Sequence, residues 1–85
     1  MTKTYFTFGS DSRFPFGQYD YVEIEAEDTY QACKLFQTIH PNRHNSDLLN
    51  CAFVYTEEWF NKIRNLYYQG VEPIEKITVR RRGNE

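Results

Sequence analysis

"YVEIEAEDTYQACKLF", residues 21–36, decides the fold of this chain. Its opening residues alternate. Val22, Ile24 and Ala26 point one way, and Tyr21, Glu23 and Glu25 the other. That period of two predicts a half-buried strand over residues 19–26. The pattern then changes to helical spacing, with Ala32, Leu35, Phe36 and Ile39 on one face. Asp28 stands at the junction, where its carboxylate can cap the free amides. Gln31 occupies the third helical position, as a capping box requires. Pro41 ends the helix, because the residue before a proline is pushed out of helical geometry.

Upstream, residues 4–8 mix polar and aromatic side chains with high strand propensity. Residues 9–18 carry Gly9, Ser10, Asp11, Ser12, Pro15 and Gly17, a cluster of chain breakers that predicts a loop between two antiparallel strands. Downstream, "HPNRHNSD" at 40–47 predicts a polar loop, and residues 48–55 a third strand centred on "CAFVY". Thr56 can cap a second helix, with Glu57 and Glu58 at its positive end and a Tyr55–Phe60 staple across its start. Trp59, Phe60, Ile63, Leu66 and Tyr67 make the expected buried face, and Gly70 the stop. "PIEKITVRR" predicts a fourth strand at an edge, where basic residues discourage strand-to-strand aggregation. The order β-β-α-β-α-β implies an α+β fold in one domain over residues 1–85. The expectation is a mostly antiparallel sheet with both helices packed on one face.

Aromatic residues make up 18% of the 85-residue chain, so a few large rings are expected to build a small core. The formal net charge of −2 argues against broad electrostatic binding to nucleic acid. Arg80, Arg81 and Arg82 nonetheless form a basic tail that fits a nucleic-acid-binding regulator as a third reading. No apolar run is long enough to span a bilayer, and "MTKTYFTFGS" does not read as a signal segment. The expected setting is therefore cytoplasmic, with Cys33 and Cys51 reduced and structural. Those cysteines, His40 and His44 match no familiar zinc spacing, so no metal or cofactor is expected. No nucleophile has a base and an orienting group beside it, which points away from an enzyme.

The first loop carries the chemistry of interest. Ser10 and Ser12 offer donors in a turn suited to an anion, and Arg13 adds a planar fork suited to phosphate. Phe14, Phe16 and Tyr19 supply rings that can stack on a base. Arg43 and His44 bring further donors from the second loop. Ordinary turn composition explains the same residues without a ligand. Tyrosine is also in surplus, and exposed tyrosine is typical of interaction surfaces. Tyr21, Glu23, Glu25 and Tyr68 form the candidate surface for a protein partner, with Glu23 and Glu25 able to imitate nucleic acid against a basic target.

"YFTFGS" at 5–10, the stretch at 21–36 and "CAFVYTEEWF" at 51–60 resemble a loose group of small bacteriophage proteins of Gram-positive hosts. The shared features are an aromatic strand ending in Phe-Gly, a Tyr-Val-x-Ile-x-Ala strand running into a helix, and Ala-Phe-x-Tyr before a Glu-rich helix. The long "HPNRHNSDLLN" segment departs from that pattern. The resemblance implies a counter-defence protein acting by binding in the infected host's cytoplasm, and the surplus of tyrosine adds the expectation of a homo-oligomer. Its ligand would be a nucleotide-derived immune signal, as for sponge proteins. The alternative is a host defence protein, as for anti-CRISPR proteins.

Overall fold

The computed structural model describes residues 1–79, so the basic tail at Arg80, Arg81 and Arg82 lies outside the described residues. Four strands and two helices follow the expected order: β1 (Thr2–Thr7), β2 (Tyr21–Ala26), α1 (Thr29–Ile39), β3 (Phe53–Thr56), α2 (Glu57–Tyr67) and β4 (Glu75–Thr78). The sheet runs β3-β1-β2-β4. β1 pairs antiparallel with β2 and with β3, and β4 pairs parallel with β2. The fold is therefore α+β with a mostly antiparallel sheet. β3 begins five residues later than the run at 48–55 suggests, because residues 48–52 form irregular chain.

Both helix starts follow from their caps. The Asp28 carboxylate accepts from the Gln31 amide at 2.7 Å, and the Gln31 side chain accepts from the Glu27 amide at 2.7 Å. That is the capping box, reaching back one residue further than usual. Thr56 Oγ1 accepts from the Trp59 amide at 3.4 Å, and the Tyr55 and Phe60 rings lie 6.3 Å apart as the staple.

The helices do not share a face. α1 covers one side of the sheet, burying Phe6, Phe8, Val22, Ile24 and Ala26 with its own Ala32 and Phe36. α2 covers the other side, where Tyr5 and Tyr21 meet Phe60 and Tyr68. The strand order supplies the reason. β2, β3 and β4 all run in one direction. The β2–α1–β3 crossover travels one way across the sheet and the β3–α2–β4 crossover travels back. Two crossovers of the same hand that travel in opposite directions must pass over opposite faces, and crossovers of this kind share one hand. β1 therefore works in both cores. Tyr5 stacks on Phe60 at 4.2 Å between ring centroids, and Phe6 stacks on Phe36 at 4.3 Å on the other side.

The buried face of α2 is narrower than its sequence suggests. Phe60 is enclosed and Ile63 packs beside it, but Trp59, Leu66 and Tyr67 are exposed. Tyr68, just past the helix, is the tyrosine that turns inward.

Candidate ligand cleft

Two residues beyond β1 stands Gly9, whose φ of +59° lets the chain turn away from the sheet in a conformation that side-chain-bearing residues rarely adopt. The loop that follows is tied together by its own aspartates. Asp11 accepts from the Arg13 amide at 2.9 Å and from the guanidinium Nε and Nη2, the latter at 2.7 Å. These bonds hold the Asp11 carboxyl at about 2, below its ordinary 3.8. Asp20 accepts from the Gly17 amide at 2.8 Å.

The second loop is stitched in the same manner. The Asn42 side-chain oxygen accepts from the amides of His44 and Asn45, at 2.9 and 3.0 Å. Asn45 in turn accepts from the Asp47 amide at 3.0 Å. At the loop's start, His40 Nε2 meets Glu75 Oε1 at 2.8 Å, tying the end of α1 to β4. With their oxygens engaged in turns, Asn42 and Asn45 leave side-chain NH2 groups without a protein acceptor among the described residues.

The two loops face each other across a cleft of about 580 Å³. Arg13 and Phe14 form one wall, and Asn42, His44, Asn45 and Asp47 the other. The chain from Leu48 to Val54 lies beneath them. Cys51 lines this floor, and burial, reinforced by the nearby Cys33, pushes its thiol up to about 12. A thiol held protonated in this way is a poor nucleophile and a poor metal ligand. Both cysteines are free, and no cluster of three or more His, Cys, Asp or Glu side chains is present among the described residues. No helix among the described residues is long and apolar enough to cross a membrane.

Of the residues singled out for a ligand, the structure brings Arg13, Phe14 and His44 together at this cleft. Ser10, Ser12 and Arg43 are exposed and do not line it. Phe16 is a packing residue, edge-on to Phe8 and to His40 at 5.2 Å from each. Tyr19 borders a second, smaller cavity of about 260 Å³ on the α2 face, with Phe53, Tyr55, Ile63 and Tyr67. Asp47, Asn50 and Cys51 were not anticipated as lining residues. The spacing of asparagines at 42, 45 and 50 is the one sequence feature that bears on them.

The proposed protein-binding set is corrected more sharply. Tyr21, Glu23 and Tyr68 are buried on the α2 side of the sheet, and only Glu25 keeps partial exposure. The Tyr21 hydroxyl donates to the Val71 carbonyl at 2.9 Å and accepts from Arg64 at 3.4 Å. Arg64 lies over the Phe60 ring, 4.9 Å from its centroid. Glu23 is 6% exposed, with one carboxylate oxygen lacking a hydrogen-bond partner among the described residues. Burial, and next the Glu23 charge, push the Tyr5 phenol up to about 12.

No family model, curated protein or solved structure matches the chain.

Proposed function

We propose that this chain is a non-enzymatic binding protein that holds a nucleotide-derived ligand in the cleft between its two loops. The observation that carries this reading is the convergence of Arg13 and Phe14 with the amide-rich second loop on one cavity of about 580 Å³. That volume lies in the range typical of small-molecule sites. Arg13 gives Nε and Nη2 to Asp11, which fixes the guanidinium and leaves Nη1 unbonded among the described residues, available to a phosphate oxygen. Phe14 offers a ring for a base. Asn42 and Asn45 offer NH2 donors for base-edge or ribose oxygens. The neighbouring Asp11 and Asp47 carboxylates favour ligands of low charge over polyphosphates. A cyclic dinucleotide or an ADP-ribose derivative suits that balance.

The resemblance to small phage proteins supports sequestration of an immune signal as the purpose of such binding. A protein that only sequesters needs no activated nucleophile, and the protonated Cys51 thiol on the cleft floor fits that role. Thermal-shift measurements against cyclic dinucleotides, cyclic oligonucleotides and ADP-ribose derivatives test the reading. A ligand-dependent rise in Tm is expected, lost in Arg13→Ala, with the intact compound recovered on denaturation. No shift across the set rejects the ligand class, and recovery of a cleaved product rejects the non-enzymatic reading.

A further inference from the structure

We infer that β3 and the adjoining flank of α2 form a two-fold interface between two copies of this chain. The inference needs no ligand in the cleft, although Phe53 and Val54 also line it, and rests on where the apolar residues of α2 point. Phe60 faces the sheet and stacks on Tyr5. Arg64 leans toward β2, where it reaches the Tyr21 hydroxyl. Ile63 leans the opposite way, toward Phe53 and Tyr55 of β3. At 100° per residue, Trp59 and Leu66 lie beyond Ile63 on that same side. Trp59, Ile63 and Leu66 therefore form a stripe overhanging the open edge of the sheet. Trp59 is 58% exposed and Leu66 73%.

The edge below is equally bare. β3 reads Phe-Val-Tyr-Thr, with no charge and no proline, and pairs with β1 on one side only among the described residues. Phe53 is 60% exposed. An open edge presents a row of unpaired backbone N–H and C=O groups that another strand satisfies. A foreign extended peptide would satisfy that row but leave Trp59 and Leu66 in water.

A second copy satisfies both at once. Antiparallel pairing centred on Val54 sets Phe53 opposite Tyr55 of the partner subunit on the α2 face and Val54 opposite Val54 of the partner subunit on the other, with no like charges opposed. A two-fold axis normal to the sheet keeps both α2 helices on one face. α2 packs on β1 and β3 alike, so its axis lies roughly half a strand spacing inside β3. With strands about 4.8 Å apart, the two helices then sit about 10 Å from each other, a normal packing distance. Each Trp59 would face Leu66 of the partner subunit.

The area suffices. The exposed portions of Phe53, Val54, Trp59, Leu66 and Tyr67 come to roughly 500–600 Å² per copy, with large side chains near 150–250 Å² each. The strand backbone brings this close to the ~800 Å² per partner of a standard interface. An isologous contact of this kind closes on itself, giving a dimer with a continuous eight-stranded sheet rather than a fibre.

Sedimentation of the full chain over a concentration series tests this. The expected species has twice the 10.2 kDa chain mass. Val54→Lys, on the strand edge, and Leu66→Lys, on the helix flank, should each weaken dimerisation by about tenfold or more, with circular dichroism unchanged. Leu66 is exposed enough that its variant folds even if the strand variant does not. Amide exchange in β3 should be slow in the parent and fast in Leu66→Lys. A chain that stays monomeric at all concentrations overturns the inference. So does an oligomer that survives both substitutions, or one whose β3 amides exchange freely.

Discussion

The two edges of the sheet are finished in opposite ways. β4 reads Glu-Lys-Ile-Thr and carries a charge on each face. Ile77 packs into the α1 core, and Glu75 is held by His40. Backbone bonds at 2.8 Å, Ile74 N–H to the Tyr21 carbonyl and Val79 N–H to the Glu25 carbonyl, secure it at both ends. β3 has no charged residue, and Phe53 and Val54 are exposed. One edge is closed by charge and anchored by its neighbours. The other is left apolar and overhung by an apolar helix flank. Exposed hydrophobic residues at a sheet edge thus carry meaning through their grouping: scattered, they need no explanation, whereas here strand and helix present theirs on one side.

The most damaging test removes the support of the β3 side. Phe60→Ala takes away the ring stacked on Tyr5 and should lower stability by about 3–5 kcal/mol, enough to leave a domain of this size largely unfolded. Phe36→Ala should cost a similar amount on the opposite face. Urea melts of the two variants check whether both cores are equally needed.

A smaller effect separates the edges. Ile77→Ala, on the anchored edge, should destabilise by about 1–2 kcal/mol, less than a fully enclosed isoleucine because Ile77 is half-buried. Phe53→Ala should change monomer stability by no more than about 0.5 kcal/mol. If equilibrium unfolding ranks them the other way, the edges are not finished as described. Lys76→Val sharpens the contrast further, since it makes β4 resemble β3. Light scattering should show increased self-association with little change in the melting of the monomer.

Titration reaches the finest scale. Tyr5 beneath α2 is pushed from its ordinary 10 up to about 12. A group raised on folding contributes stability in full below pH 10, and that contribution falls as pH climbs from 10 through 12. An alkaline melt followed by circular dichroism should lose the α2 face in that window. A flat profile up to pH 12 would contradict the enclosure of Tyr5. At the acid end, Asp11 is depressed, so its contribution is present above pH 3.8 and fades as pH falls toward 2. NMR titration should find this carboxyl at about 2, and Arg13→Ala should return it to the ordinary carboxylate range.

Element order was legible because each transition carries a local signal. Asp28 with Gln31, and Thr56 with Trp59, mark helix starts through bonds that span three residues. The assignment of faces was not legible in that way. Glu23 and Glu25 made one side of β2 look solvated, yet Tyr5 and Tyr21 on that side form an aromatic core with Phe60. The consecutive large residues at Tyr5-Phe6 and Tyr21-Val22 are the available signal for strands covered on both sides. The stripe from Trp59 to Leu66 reads as core from spacing alone, because periodicity reports an apolar side without saying what covers it. Likewise both loops stood out by composition. Their meeting at one cleft depends on the α1 crossover that brings residues 42–54 back beside Arg13.

The parallel pairing of β2 with β4 bears on how the chain emerges during synthesis. β2 pairs with β1 across a short loop, but Val22 waits for Glu75, 53 positions later. At about 5–20 residues per second, the outer edge of β2 stays uncovered on the ribosome for roughly 3–10 s. Through that interval Glu23 and Glu25 punctuate an otherwise apolar strand, the placement expected of gatekeepers against mispairing. In the finished molecule the same Glu23 is buried, and one of its oxygens has no hydrogen-bond partner among the described residues.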